Sequence, residues 1–209
     1  MSYSPRQDCP WLPPKDASQP VSDRHPADRV GALLRWLGDV DPDLLGHSRR
    51  VSALCDQLGR AIGLGSADLR ALAVAAPLHD IGKLALPSAL LNKPGPLTAT
   101  ECAALRAHPG LGEQWVRRRS AASPAVLGAI RHHHEHWNGR GYPDGLQGQQ
   151  IPLLARLLTV CDVYDALRSP RGYKPAWTPA AARAELERCA GHHLDPGLVA
   201  AFLPLLEPS

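Results

Sequence analysis

The chain has 209 residues, 44% of them hydrophobic, and a formal net charge of +3. That length fits one domain with a tail, and no apolar run is long enough to suggest a membrane-spanning helix. The charge is too mild for a duplex nucleic-acid binder, and five cysteines without a CxxC spacing point to a reducing cytoplasm rather than a disulfide framework or zinc ribbon.

Residues 1–26 carry Pro5, Pro10, Pro13, Pro14, Pro20 and Pro26 among few apolar side chains. A flexible tail is expected there, without a secretory signal, followed by one domain over 27–209. Val30, Leu33, Leu34 and Leu37 space a first amphipathic helix. Leu44, Val51, Leu54, Cys55, Leu58 and Ile62 space a second, ending near Gly63. Ser66 is the expected N-cap of a third, and Thr98 with Glu101 forms a capping box for a fourth. Ser123-Pro124 opens the next. Segments 152–167 and 178–189 are two more, and Asp195-Pro196 starts a last short one. No period-2 pattern is sustained, so the expected fold is an all-α helical bundle.

Several of these helices aim polar residues at their apolar faces. On a wheel anchored by Val126, Leu127, Ile130 and Trp137, His133 and His134 point inward, while His132, Glu135 and His136 point to solvent. His47, His79-Asp80, His108 and Asp162 likewise fall on apolar faces. One such residue alone is best read as a hydrogen-bonded core histidine. Together they would satisfy one another around cations, since buried polar groups require partners. Imidazole and carboxylate without thiolate suit iron, manganese or zinc, and the ligands outnumber the four of a structural zinc site. They fit two metals sharing an aspartate, an arrangement that hydrolyses phosphate esters.

Five ordered motifs, HDIGK (79–83), LNKPGPLT (91–98), HP (108–109), HHEHWNGRGYPDG (133–145) and CDVYDAL (161–167), resemble the HD-GYP subfamily of the HD metal-dependent phosphohydrolases. The resemblance runs from about Asp43 to Phe202. It implies a cytoplasmic cyclic di-GMP phosphodiesterase giving pGpG or GMP, with two divalent ions, iron or manganese. The implied metal ligands are His47, His79, Asp80, His108, His133, His134 and Asp162, with Asp80 bridging and Asp43 available to a third ion. Lys83 would meet the scissile phosphate or order the attacking water. Tyr142, Arg171 and Lys174 would hold substrate. The GYP loop around Tyr142 and Pro143 would also offer a surface to a diguanylate cyclase, and a homodimer through the first helices is compatible with the pattern. The other readings are a phosphohydrolase for a different nucleotide and a non-catalytic adaptor. The chain length leaves no room for a receiver, PAS or membrane sensor domain, so regulation is expected from elsewhere.

The sequence departs from the subfamily pattern at several places. Asn138 stands for an aspartate, Arg140 for a small residue and Pro170 for an aspartate. Pro77, two residues before His79, is expected to fit a kink at the end of its helix.

Overall fold

The computed structural model describes residues 26–170 and 175–206. They form ten α-helices: α1 (Pro26–Val40), α2 (Pro42–Ala61), α3 (Ser66–Leu78), α4 (Ser88–Leu91), α5 (Ala99–Leu105), α6 (His108–Arg119), α7 (Pro124–His132), α8 (Leu153–Arg168), α9 (Pro179–Cys189) and α10 (Pro196–Phe202). Among the described residues there is no β-strand, only two isolated bridges, as an all-α fold requires. Helices α2, α3, α7 and α8 pack on one another, with α6 laid along α7. Most of α8 is apolar on every side, and Leu154, Ala155, Leu157, Leu158, Val160 and Cys161 are all buried, which marks it as the central helix. Leu58, Leu72, Leu78, Ile130, Leu186 and Phe202 complete the core around it. Pro26, at the end of the Pro-rich segment, begins α1; residues 1–25 lie outside the described residues.

Local chemistry sets most helix starts. Asp41, Thr98, Ser123, Thr178 and Asp195 each accept a backbone N–H of the first turn that would otherwise lack a partner. Thr98 and Glu101 form the full capping box, with Glu101 also held by Lys93. Four of these five helices place proline in the first turn, where no N–H is missed.

Three expectations are corrected. Gly65, not Ser66, occupies the N-cap of α3, and no side chain caps it. The fourth helix is two helices, α5 and α6, because Pro109 has no N–H to donate back to the Leu105 carbonyl, which the His108 ring takes instead, and the chain turns over Arg106 and Ala107. The helix from Ser123-Pro124 stops at His132: Trp137 and Asn138 donate their N–H groups to the His193 and His192 carbonyls instead of continuing it. Pro77 is accommodated in the last turn of α3. It costs the N–H that would bond Ala73, and both residues line a cavity of about 390 Å³ between α2 and α3.

Candidate metal centre

Three histidines sit just beyond a helix end, and in each case the helix end fixes the ring. A terminal turn leaves carbonyls without an N–H partner. His79 Nδ1 donates to Ala76 O at 2.7 Å at the end of α3. His108 Nδ1 donates to Leu105 O at 2.8 Å at the end of α5, and His133 Nδ1 to Ile130 O at 2.7 Å at the end of α7. The ring proton is thereby committed to Nδ1, so each Nε2 presents a lone pair. Thr159 on α8 donates to the His133 carbonyl at 2.7 Å and ties that turn to the central helix. His47, from the first half of α2, instead donates Nδ1–H to Asp165 Oδ2 at 2.7 Å.

All four Nε2 atoms face the Asp80 carboxylate. Oδ1 lies 3.1 Å from His108 and 3.7 Å from His133. Oδ2 lies 3.5 Å from His79 and 3.8 Å from His47. Two ligand-competent groups result, one of Asp80, His108, His133 and His134, the other of His47, His79 and Asp80, so Asp80 belongs to both. Asp162 closes the second group, 3.2 Å from His47 Nε2. Gly82 makes this convergence sterically possible. A Cβ there would stand 1.9 Å from the His108 carbonyl, so only glycine lets the turn after Asp80 lie against the start of α6.

The electrostatics suit a cation. Burial opposes the charge on Asp80, yet Lys83 and the surrounding histidines hold its pKa well below the usual carboxylate range. Burial strips water from His79 and His134 and lowers them to about 4 and about 2, which leaves both neutral at pH 7. For His47 burial is outweighed by hydrogen bonds to Asp162 and Asp165, and its pKa rises to about 9. Asp80 Oδ1 is buried without a hydrogen-bond partner even though His108 Nε2 is near, because lone pair meets lone pair. An orphaned carboxylate oxygen faced by the Nε2 atoms of His108 and His133 fits divalent metal ions bound through nitrogen and oxygen.

The remaining expected residues are placed as follows. Lys83 Nζ pairs with Asp80 Oδ2. The Tyr142 ring stacks on His134, with centroids 4.9 Å apart. Asp43 is exposed in the first turn of α2 and belongs to neither group. Arg171 and Lys174 lie outside the described residues. Neither His132 nor His136 is simply solvated: His132 Nε2 bonds Asp144 at 2.9 Å, and the His136 ring packs on His193 at 4.0 Å. His193 is thus half-buried.

Glu135 is the clearest residue that the helical wheel misassigned. It is buried, and its carboxylate accepts Asp144 N at 2.7 Å and Leu146 N at 3.1 Å. Asp144 in turn binds Arg131 and His132, so the GYP loop is latched to the end of α7. Arg50 was missed as well: it donates to both oxygens of Asp165 and to Ser169. The turn-forming NGRGYPDG run, full of backbone N–H groups without a helix, is the signal that Glu135 answers.

A protein-family model described as "HD domain" matches residues 32–198. The chain belongs to the HD domain family. This HD domain is 43% identical over 178 residues to the cyclic di-GMP phosphodiesterase response regulator RpfG of Xanthomonas campestris, covering 84% of the chain and 47% of that protein. It is 39% identical over 158 residues to 3'3'-cGAMP-specific phosphodiesterase 2 of Vibrio cholerae, covering 75% of the chain and 30% of that protein. The chain therefore spans less than half the length of these relatives. Among solved structures, Bd1817, an HDG"Y"P protein of Bdellovibrio bacteriovorus, shares the fold with a TM-score of 0.66 at 23% identity, over 93% of this chain and 61% of that one. No helix among the described residues is long and apolar enough to cross a membrane.

Proposed function

We propose that this HD domain is a metal-dependent phosphodiesterase that hydrolyses cyclic di-GMP to pGpG or GMP in bacterial second-messenger signalling. The observation that carries the reading is Asp80, shared by two ligand-competent groups, with the Nε2 lone pairs of His79, His108 and His133 turned toward its carboxylate. Its relatives, named for cyclic di-GMP and 3'3'-cGAMP hydrolysis, supply the substrate class.

His108, His133, His134 and Asp80 would hold one ion, and His47, His79, Asp80 and Asp162 the other. The donor set suits iron or manganese. Bound there, the ions supply the charge that makes water acidic enough to attack phosphorus at neutral pH and that offsets charge on the phosphoryl oxygens. The chain's own residues do the rest. The α3, α5 and α7 carbonyls keep three rings in one tautomer, and Asp165 does so for His47. Lys83, partly exposed beside Asp80, is positioned to meet a phosphoryl oxygen. Tyr142 closes the His134 side of the centre.

The test uses protein without a histidine tag, loaded anaerobically with Mn(II) or Fe(II), and a panel of cyclic di-GMP, 3'3'-cGAMP and mononucleotides followed by chromatography. Release of pGpG or GMP from cyclic di-GMP, lost in a His133→Ala, His134→Ala double variant, supports the reading. Faster turnover of 3'3'-cGAMP or of a mononucleotide would reassign the substrate.

A further inference from the structure

Arg106 stands beside the metal centre, against the ring of Tyr142. It lies in the turn between α5 and α6, two residues before His108, and is exposed. Its guanidinium stands over the Tyr142 ring, 5.4 Å from the centroid. Tyr142 in turn stacks on His134 at 4.9 Å. Guanidinium, phenol and imidazole therefore form a chain of contacts that ends at the metal centre. Among the described residues no carboxylate pairs with Arg106, whereas Arg50, Arg117, Arg131 and Arg156 nearby each have one. Its N–H donors are held near the site but committed to no acceptor.

The pedestal under Arg106 is rigid. Tyr142 N donates to His134 O at 3.1 Å. A Cβ on Gly141 would stand 2.2 Å from His136 N, so the loop lies directly on the 134–136 backbone. A cation held against an aromatic face keeps its charge and its forked donors available to an anion. Arg106 meets His134, an expected ligand, only through the Tyr142 ring, so it is placed for an anion beside the centre rather than for one seated on the ions. A cyclic dinucleotide brings a second phosphate in the same ring.

We propose that Arg106 is a substrate-binding residue that holds the phosphate of the cyclic dinucleotide that is not being cut. This rests on the phosphodiesterase reading above. The test compares Arg106→Met, which keeps the stem over Tyr142 but removes the charge, with Arg106→Lys and the unaltered protein. All are Mn(II)-loaded and assayed on cyclic di-GMP and on bis(p-nitrophenyl) phosphate, which has one phosphate. The expected result is a KM for cyclic di-GMP raised about tenfold or more in Arg106→Met with a much smaller change in kcat. Arg106→Lys should recover part of the loss, and bis(p-nitrophenyl) phosphate should be affected far less. Equal losses on both substrates, or no change in KM, would overturn the assignment. Failure of the cyclic di-GMP reading itself would show separately, as cleavage of bis(p-nitrophenyl) phosphate without cyclic di-GMP turnover by the unaltered protein.

Discussion

Asp80 Oδ1 and His108 Nε2 face each other at 3.1 Å with the His108 ring proton turned away to Leu105 O. Two acceptors at that distance repel unless a cation lies between or beside them. The same holds for His133, whose proton is committed to Ile130 O. Removing Asp80 takes the common ligand from both groups. Asp80→Asn should therefore abolish binding of both ions, not one, and with it turnover. Elemental analysis of metal per chain checks the first part. Thermal unfolding gives a second readout, because a ligand that binds only the folded state stabilises it by mass action. Added Mn(II) should raise the Tm of the unaltered protein and leave that of Asp80→Asn where it was. A variant that retained one ion would show that the two groups are independent.

Asp165 touches no expected substrate position, yet it orients His47 through the 2.7 Å bond to Nδ1 and is itself gripped by Arg50. Carboxylates behind a ligating imidazole typically govern metal affinity by about 10- to 100-fold. Asp165→Asn should weaken one of the two ions by roughly that factor and leave the other in place. Competitive chelator titration separates the two affinities. Equal weakening of both would mean that Asp165 acts on the fold and not on His47.

The helices were readable because their caps and their 3.6-residue periodicity are local properties. Thr98 with Glu101 and Ser123-Pro124 start helices for reasons contained within four residues. The inward histidines were also visible, since an imidazole on an apolar face is conspicuous wherever the chain leads. The wheel failed at Glu135 and His136, beyond the end of α7, where side chains follow a loop held by Glu135 and by the 192–193 carbonyls. The 192–193 carbonyls are far away in sequence, so no local pattern announces them, and only the NGRGYPDG run hints at the role of Glu135. Arg106 was invisible for the same reason: its meaning comes from Tyr142, on a different loop.

Protons and metal ions compete for the same nitrogens. His79 and His134, lowered to about 4 and about 2 by burial, are already neutral above pH 5 and ask nothing of an incoming ion. His47 differs: its pKa is raised to about 9, above the ordinary value, so at pH 7 an ion must displace its proton. The sign follows. Affinity at the group containing His47 should rise with pH, by about tenfold per unit between roughly pH 6 and 9, and level off above. Calorimetric titration of Mn(II) at pH 7 in two buffers of different ionisation enthalpy should report close to one proton released. Zero release would show that His47 is neutral before the ion arrives.

Gly141 tests whether the GYP loop must sit where it does. A methyl group there would meet His136 N at 2.2 Å and Glu135 Cα at 2.5 Å, both backbone atoms of the segment that carries His134. Neither can yield without moving the His133-His134 turn, so the loop itself must lift. Gly141→Ala should cost about 1–3 kcal/mol of stability, as overpacking does, and leave a folded chain because the loop contributes no residue to the buried core. Lifting the loop takes Tyr142 off His134 and carries Arg106's pedestal away from the centre. Displacement of about an ångström at a substrate-positioning group can cost up to about a hundredfold in efficiency. The loss should fall on kcat/KM for the cyclic dinucleotide, with metal content preserved, since no expected ligand sits in the loop. Circular dichroism, metal analysis and steady-state kinetics on the one variant decide it. Loss of metal together with activity would show that the loop's hold on the 134–136 backbone is part of what builds the centre.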